Sequence, residues 1–406
     1  MSFSQGLSGL NAASQALDVV GNNIANSQTV GFKSGSIAFA DIFAGSQVGM
    51  GVQVAGVNQN FSDGVLGQGS SPLDMGIQGN GFFRLTDEAG RVFYSRNGQF
   101  KQDEKGYIIN NQGMFLTGYQ ATGTPPSIQP GAQVGPIQIP GGGMMAKASD
   151  SGTLHGNLDS GAQEIDTSAA DFDPAKNNTA VTQVDAYDSL GNQHTINVYF
   201  VKTGPNSWEV YSSDTTAPIT DSNGKVEYQK TQLSFDTSGQ LITSPASLMI
   251  KGTAYQGGEP LSFALDMTGM TQQASETAME SPGTNGYPPG QMNGYSVGDN
   301  GQVIATYSNG EQQLIAQVVL SSFTNPGGLT AKGNNCWQES PASGQPVTGI
   351  SGTGNLGNLY GNRLEASNVD LSKQMVDMIV YQRNYQSNSQ TIKTQSEILQ
   401  TLVNLG

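Results

Sequence analysis

The chain has 406 residues, a net charge of −15 and only 12% charged residues, against about 25% in an ordinary soluble domain, so two or three domains are expected and any buried charge needs a partner. Its Lys and Arg are scattered singly, which excludes a phosphate-neutralising patch for nucleic acid and an attraction to anionic membrane surfaces. It has no run of about 18 apolar residues to insert in a bilayer, and a single cysteine, Cys336, leaves no intrachain disulfide.

Residues 1–30 read as a helix with a narrow apolar stripe. Phe3, Leu7, Leu10, Ser14, Leu17, Gly21 and Ile24 recur at alternating steps of four and three, the spacing of a coiled-coil seam rather than the broad face of a globular-domain helix. Gly6, Gly9 and Gly21 fall inside this pattern, and each costs about 1 kcal/mol relative to alanine. The helix is therefore expected to be marginal in isolation and stable only when packed. Residues 1–14 have no basic start and no continuous apolar stretch, so no cleavable signal peptide is read there.

The helical pattern stops at Asn22-Asn23-Ile24-Ala25-Asn26-Ser27, because Asn and Ser at that density end helices and form turns. Residues 31–72, rich in Gly, Ser, Ala and Gln, are expected to be an extended connector with some strand. Strands then follow at Met75–Ile77, Gly81–Leu85, Val92–Tyr94, Gln99–Lys101, Tyr107–Asn110 and Met114–Leu116, separated by Asn80-Gly81, Glu88-Ala89-Gly90 and Asn97-Gly98. Asn-Gly is the strongest short hairpin signal.

A Gly/Pro stretch from Thr122 to Gly143 marks a boundary. A second all-β pattern follows, with Val184–Tyr187 and His194–Val201 flanking a turn at Asp188–Asn192, then Trp208–Tyr211, Leu233–Phe235 and Leu261–Leu265. After the cluster Pro282 to Gly290, strands resume at Tyr295–Val297, Val303–Tyr307 and Leu314–Leu320. The last segment, 366–406, again reads as a helix with a seam, at Leu371, Met375, Met378, Gln382, Tyr385, Ser389, Ile392, Ser396 and Leu399. Leu10, Leu17 and Ile24 are expected to pack against Met375, Ile379, Ile392, Leu399 or Leu402.

The expected fold class is mainly β with terminal α-helices: two nested β domains plus a coiled-coil domain formed by the two ends. The domains are 1–30 with 366–406, the terminal coiled coil; 31–72, the connector; 73–144 with 284–365, an inner discontinuous β domain; and 145–283, an inserted outer β domain. Closely placed termini at a domain surface are common.

Chemistry finds little to stand on. His155 and His194 are isolated, and His194 reads as a surface strand residue. Two His and one Cys do not make a metal site. Asp171 with Asp173, and Asp185 with Asp188, lack the alternating ligand spacing and distal Glu of a calcium loop. Cys336 beside Trp337 reads as a small buried hydrophobe. No catalytic constellation and no cofactor are expected. Strand aromatics Tyr187, Tyr199 and Trp208 leave a carbohydrate-binding or adhesin reading open, which does not account for the terminal seams.

Several motifs bear a family resemblance. Asn22-Asn23-Ile24-Ala25-Asn26-Ser27 followed by Thr29-Val30-Gly31-Phe32-Lys33 resembles the N-terminal signature of flagellar axial proteins of the rod and hook class. Glu365-Ala366-Ser367-Asn368-Val369-Asp370-Leu371 and Gln382-Arg383-Asn384-Tyr385-Gln386-Ser387-Asn388 resemble the C-terminal one. Gly79-Asn80-Gly81-Phe82-Phe83 and Tyr94-Ser95-Arg96-Asn97-Gly98-Gln99-Phe100 are similar to its first β-domain pattern. The insertion at 145–283 is similar to the hook type rather than to the shorter distal rod or junction type. The resemblance implies a self-assembling subunit of a curved, bendable tube that acts as a universal joint between motor and filament. It implies a tubular homopolymer, with a distal rod protein, a hook cap protein, a hook–filament junction protein and the type III export apparatus as partners. It also implies an extracellular place in the flagellar hook and basal body.

Overall fold

The computed structural model of the chain describes residues 2–42, 49–123, 125–129 and 131–405. The fold is mainly β with one long helix at each end, α1 (Ser2–Ala25) and α2 (Leu371–Leu405). It divides into two compact units. One combines Met1–Gly141, Gly294–Thr306 and Gln312–Gly406, and the other combines Gly142–Asn293 and Tyr307–Glu311.

In the first unit, the strands Gln302–Tyr307, Gln312–Ser322, Phe115–Gln120, Phe82–Thr86, Val92–Ser95, Cys336–Gln338 and Thr330–Gly333 lie side by side in that order. All these neighbours are antiparallel. The turn read at Glu88-Ala89-Gly90 forms because the Asp87 carboxylate accepts the Arg91 amide at 2.8 Å while Gly90 N donates to Asp87 O. These strands, with Phe323 just past the end of Gln312–Ser322, bring Phe82, Tyr94, Phe323 and Trp337 into one cluster. Their rings meet edge to face at 4.8–5.9 Å, and burial of each aromatic stabilises the unit by about 1.5–3 kcal/mol.

The connector carries more structure than its composition suggests. β1 (Gly35–Asp41) and β2 (Val52–Gln59) form an antiparallel ladder from Gly35 opposite Gln59 to Asp41 opposite Val52, with a bulge between Ala38 and Phe39. Leu66–Gln68 pairs with Arg363–Glu365, and Met75–Gln78 pairs with Asn358–Gly361. The N-terminal and C-terminal arms of the chain therefore run antiparallel before α2 begins. The sequence masks this because the arms are short and polar, and the register is fixed by a partner nearly 300 residues away.

The second unit has its own core. Ala180–Tyr187, Gln193–Gly204, Ser207–Asp214 and Gln229–Ser234 form an antiparallel meander. A mixed sheet of Ser247–Lys251, Ser262–Asp266, Ser151–Thr153 and Gly283–Thr284, and a three-stranded one around Gly156–Asp159, complete the unit. Inward residues of these sheets share one core, which includes Val198, Phe200, Trp208, Leu248, Phe263 and Leu265. Among the described residues, no helix is long and apolar enough to cross a membrane.

Candidate functional site

The two terminal helices pair antiparallel. A Cβ on Gly6 would lie 3.1 Å from Ile392 Cγ1, and one on Gly9 would lie 2.8 Å from the Asn388 amide. At the other end Asn23 Nδ2 donates to Gln374 Oε1 at 3.0 Å. The buried face of α1 is Gly6, Ala13, Ala16, Val20 and Asn23, with Ala12 beside it. With half-buried Gly9, this is a heptad seam made of small residues.

This corrects the sequence reading by one residue. None of Phe3, Leu7, Leu10, Leu17 and Ile24 is buried, and Phe3 and Leu7 are 46% and 45% exposed. A one-residue step turns a helix by about 100°, so the large apolar stripe lies beside the closed seam rather than in it. The physical reason is backbone approach. Glycine and alanine let α2 come close, while larger side chains would hold it away.

On α2 the packed face is Gln374, Met378, Tyr381, Asn388, Ile392 and Gln395, all half-buried. Met378 and Ile392 of the expected stripe lie on it. Leu371, Met375, Ile379, Gln382, Tyr385 and Leu399 are exposed, as are Arg383 and Asn384, and the Leu402 side chain lies outside the described residues. The alternate members at 375, 382, 389 and 396 are again one position off, since polar Gln374, Asn388 and Gln395 occupy the seam. Val376 and Val380, at 60% and 48% exposure, add to the open apolar strip.

The signature residues gather where these helices meet the β structure. Asn26 Nδ2 donates to Asn22 O at 3.0 Å, and Ser27 Oγ donates to Ile24 O at 2.8 Å, which closes the α1 C-terminus. Ala25, the last residue of α1, is exposed. Asn23 bonds both backbone groups of Gly35, accepting from its N–H at 2.9 Å and donating to its carbonyl at 2.8 Å, which ties β1 to the helix. Gly31 has φ +67°, and its N–H donates to Glu365 O at 2.8 Å. A side chain there would be strained and would press on the Arg96 backbone.

Asn368 accepts from Ser34 N at 2.8 Å and donates to Asn60 O at 2.8 Å and Ser62 O at 3.0 Å. The Asn368 N–H reaches Phe32 O at 3.4 Å. Val369 N donates to Ser367 Oγ at 3.3 Å. Asp370 caps α2 by accepting the Lys373 N–H at 3.1 Å. In the inner sheet, Asn97 accepts from Gln99 N at 3.0 Å, and Phe100 meets Phe83 edge-on at 5.2 Å. Gly98 presses against Met75, where any Cβ would collide with the carbonyl oxygen.

At the centre lies an ion group that motif reading quoted without singling out. Lys33 Nζ is 2.7 Å from Glu365 Oε1, and Arg96 Nη1 is 3.1 Å from Glu365 Oε2. Lys33 also donates to Ser62 O at 2.7 Å, and Arg96 Nη2 donates to Gly79 O at 2.6 Å. Burial, with the neighbouring Arg96 charge, pulls the Lys33 pKa below the ordinary lysine value, while Glu365 opposes that shift. The signal for this group was available. In a chain so poor in charge, a Lys and an Arg each sit inside a motif of otherwise uncharged residues, and a Glu opens a motif whose other charge is Asp370.

The remaining titratable groups are structural in setting. His194, expected on a strand surface, is fully buried in the second unit. Its Nδ1 is 2.5 Å from Asp214 Oδ2, and its Nε2 is 3.8 Å from Asp188 Oδ2. The surface reading fails because alternation puts His194 on the same face as the buried Ile196, Val198 and Phe200, where the buried Asp214 and Asp188 meet its ring. Trp208 is fully buried with its indole N–H on Gln272 at 2.7 Å, and Tyr199 is buried too, so neither presents a face for sugar stacking. Cys336 is buried as expected. Among the described residues, no three His, Cys, Asp or Glu side chains are placed to hold a metal ion.

Comparison with known proteins places these observations. Residues 5–33 match the flagella basal body rod protein model, and 76–155 match the flagellar hook protein FlgE/F/G D1 domain. Residues 157–287 match the flagellar basal body protein FlaE D2 domain, and 361–405 match the flagellar basal body rod FlgEFG protein C-terminal model. The chain is 48% identical to the flagellar hook protein FlgE of Escherichia coli K12 over 410 residues, covering all of both chains. It is likewise 48% identical over the whole of both chains to that of Salmonella typhimurium. It is 32% identical to that of Borreliella burgdorferi, over 100% of this chain and 99% of the other. The crystal structure of Helicobacter pylori flagellar hook protein FlgE2 shares the fold, with a TM-score of 0.52 at 15% identity, over 72% of this chain and 99% of that one. With full-length identity of this order and four domain models in sequence, the chain belongs to the flagellar hook protein family.

Proposed function

We propose that this chain is the structural subunit of a bacterial flagellar hook, and that it self-assembles through its terminal helices into a tube. The observation that carries this reading is what the small-residue seam leaves over. Once α1 and α2 have closed on Gly6, Ala13 and Ala16, the large side chains Phe3, Leu7, Met375, Val376, Ile379 and Val380 stay open on the outside. Exposed apolar side chains at both ends of the helix pair mark protein–protein contacts, and in a family of axial proteins the natural occupant is another copy.

Curvature and bending, as a universal joint between motor and filament, follow if these contacts slide rather than lock. Methionine at Met375 and polar Gln382 and Ser389 on the exposed side of α2 suit adaptable packing. The family setting supports a distal rod protein, a hook cap protein, a hook–filament junction protein and the type III export apparatus as partners, and a non-enzymatic role. The buried setting of His194 between two aspartates is in keeping with such a role, since the ring is enclosed rather than offered to a substrate.

The test is complementation of a strain that lacks its hook subunit, with electron microscopy of the purified polymer. Curved hooks and restored swimming are expected. Straight rods, or no polymer from well-expressed chain, would overturn the reading.

A further inference from the structure

Trp208 and Val210 of the strand Ser207–Asp214 belong to the core of the second unit, so alternation turns Glu209 and Tyr211 to the opposite face of the meander. There Tyr211 stands opposite Tyr199 on one neighbouring strand and Lys230 on the other. The segment that precedes Ala180–Tyr187 folds over this face and brings Phe172 to Tyr211, with ring centres 5.6 Å apart at 52°. The excursion between Ser207–Asp214 and Gln229–Ser234 closes on itself at Thr220 and Val226. It adds Tyr228, whose ring lies 6.4 Å from that of Tyr211 at 87°. Between these segments lies an open cavity of about 320 Å³, walled by Phe172, Tyr211 and Tyr228 and rimmed by Asp221, Lys225 and Glu227.

Both phenols donate to carboxylates, Tyr211 to Glu209 and Tyr228 to Asp173 at 3.0 Å. Burial, and then the carboxylate beside each, holds their pKa values above the ordinary tyrosine value, so both remain donors. A ring whose hydroxyl donates to an anion is polarised toward greater negative charge on its face, which favours a cation there. One cation is already held this way. Lys230 Nζ lies 5.9 Å from the centre of the Tyr211 ring and 3.7 Å from Glu209 Oε1. Lys176 is 3.3 Å from Asp173, which leaves Asp221 and Glu227 at the rim with Lys225 as the one opposing charge. Backbone N–H groups of Lys225 and Asn223 hold the Asp221 carboxyl below the ordinary value. The wider field has the same sign, because the second unit carries 18 Asp and Glu against 6 Lys and no Arg. Rings inclined at 52° and 87° make the walls of a box rather than a flat platform, and an aromatic box beside carboxylates suits a compact positive group.

We infer that this cavity is a binding pocket for an organic cation, an alkylammonium or guanidinium group, held between Phe172, Tyr211 and Tyr228 with Asp221 and Glu227 at its mouth. The group is carried either by a free amine or by a side chain of another copy, whose five arginines all lie in the first unit. The pocket is built wholly within the second unit, so it stands or falls apart from the polymer reading.

Nuclear magnetic resonance of the full-length chain, labelled at tyrosine and studied as dilute monomer, tests it. The probe is butylguanidinium, and the control is butylurea, which has the same shape without the charge. Butylguanidinium is expected to shift the Tyr211 and Tyr228 signals with a midpoint on the order of a few millimolar, and butylurea to bind at least about tenfold more weakly. Tyr228→Leu is expected to weaken the probe about fivefold or more, while Tyr228→Phe, which keeps the ring, stays within about threefold of the parent. Asp221→Asn with Glu227→Gln is expected to raise the midpoint about threefold or more and to flatten its dependence on salt. Thermal unfolding checks that each variant is folded, and Phe172→Leu replaces Tyr228→Leu if the latter is not. Shifts that fail to saturate, equal binding of butylurea, or parent-like binding by the leucine variant or the rim pair would each overturn the pocket. Concentrating the chain without probe separates the two sources. Shifts of the same signals that butylguanidinium reverses assign the pocket to a side chain of another copy, and their absence assigns it to a free cation.

Discussion

At the residue scale, the buried polar groups of this chain are legible only through their neighbours. Lys33, Arg96 and Glu365 stand 63 residues or more from one another in pairs that the fold completes, and no local pattern announces a pairing at that separation. Cys336 is the opposite case, because a small thiol beside a tryptophan already suggests burial. Burial pushes its pKa up to about 11, against a lowering contribution from Ser95. The thiolate is the nucleophile, so the sign is fixed: reactivity grows with pH up to that value. At pH 8 about one thiol in a thousand is ionised, against roughly a quarter of ordinary cysteines. Iodoacetamide is therefore expected to leave native Cys336 unmodified at pH 8, to react about tenfold faster per pH unit up to pH 10, and to react at once in urea. Rapid labelling of native protein at pH 8 would mean that the strand Cys336–Gln338 opens readily.

At the element scale, the terminal helices show what periodicity can and cannot find. The four-three spacing was right, and so was the identification of both ends as paired helices. The face was wrong by one residue, because pattern reading follows the largest apolar side chains and a close helix pair is built from the smallest. The inner strands were legible to within a few residues, but the Asn80-Gly81 and Asn97-Gly98 hairpin signals misled, because the strands beside them pair elsewhere, Met75–Gln78 with Asn358–Gly361 and Phe100–Gln102 with Ile108–Asn110. The strands Leu66–Gln68 and Arg363–Glu365 were not legible, since three-residue strands carry no period. The seam assignment has a direct consequence. Ala16 is fully buried, and Leu there overpacks the helix pair at a cost of about 1–3 kcal/mol. Ala16→Leu is expected to lower monomer helicity by circular dichroism. Leu10→Ala with Leu17→Ala is expected to leave that helicity unchanged and to raise the critical concentration for polymerisation by about tenfold or more, because about 1.5–3 kcal/mol of burial per side chain moves from the helix pair to the contact between copies. The reverse pattern would restore the large stripe to the seam.

At the scale of the whole molecule, each compact unit has its own core and, by the accident of composition, its own tryptophan. Trp337 sits in the aromatic cluster of the first unit and Trp208 in the core of the second. The chain has no others, so Trp208→Phe and Trp337→Phe each leave a single fluorophore that reports one unit. Chains with separate cores need not unfold in one step. Urea titration of the two variants is accordingly expected to give different midpoints. A core truncation sharpens the point. Leu265 is fully buried in the second unit, and Leu→Ala at such a site costs about 2–5 kcal/mol. With a slope of about 1–3 kcal/mol per molar urea, Leu265→Ala should move the Trp208 transition down by about 1 M or more. The Trp337 transition should stay where it was. If both transitions move together, the insertion and the body that carries it fold as one cooperative unit, and stiffness in the assembled tube would have to come from within the subunit as well as from contacts between copies. If only one moves, the second unit can yield without loosening the arms that hold α1 and α2, which is the mechanical separation a bendable polymer requires.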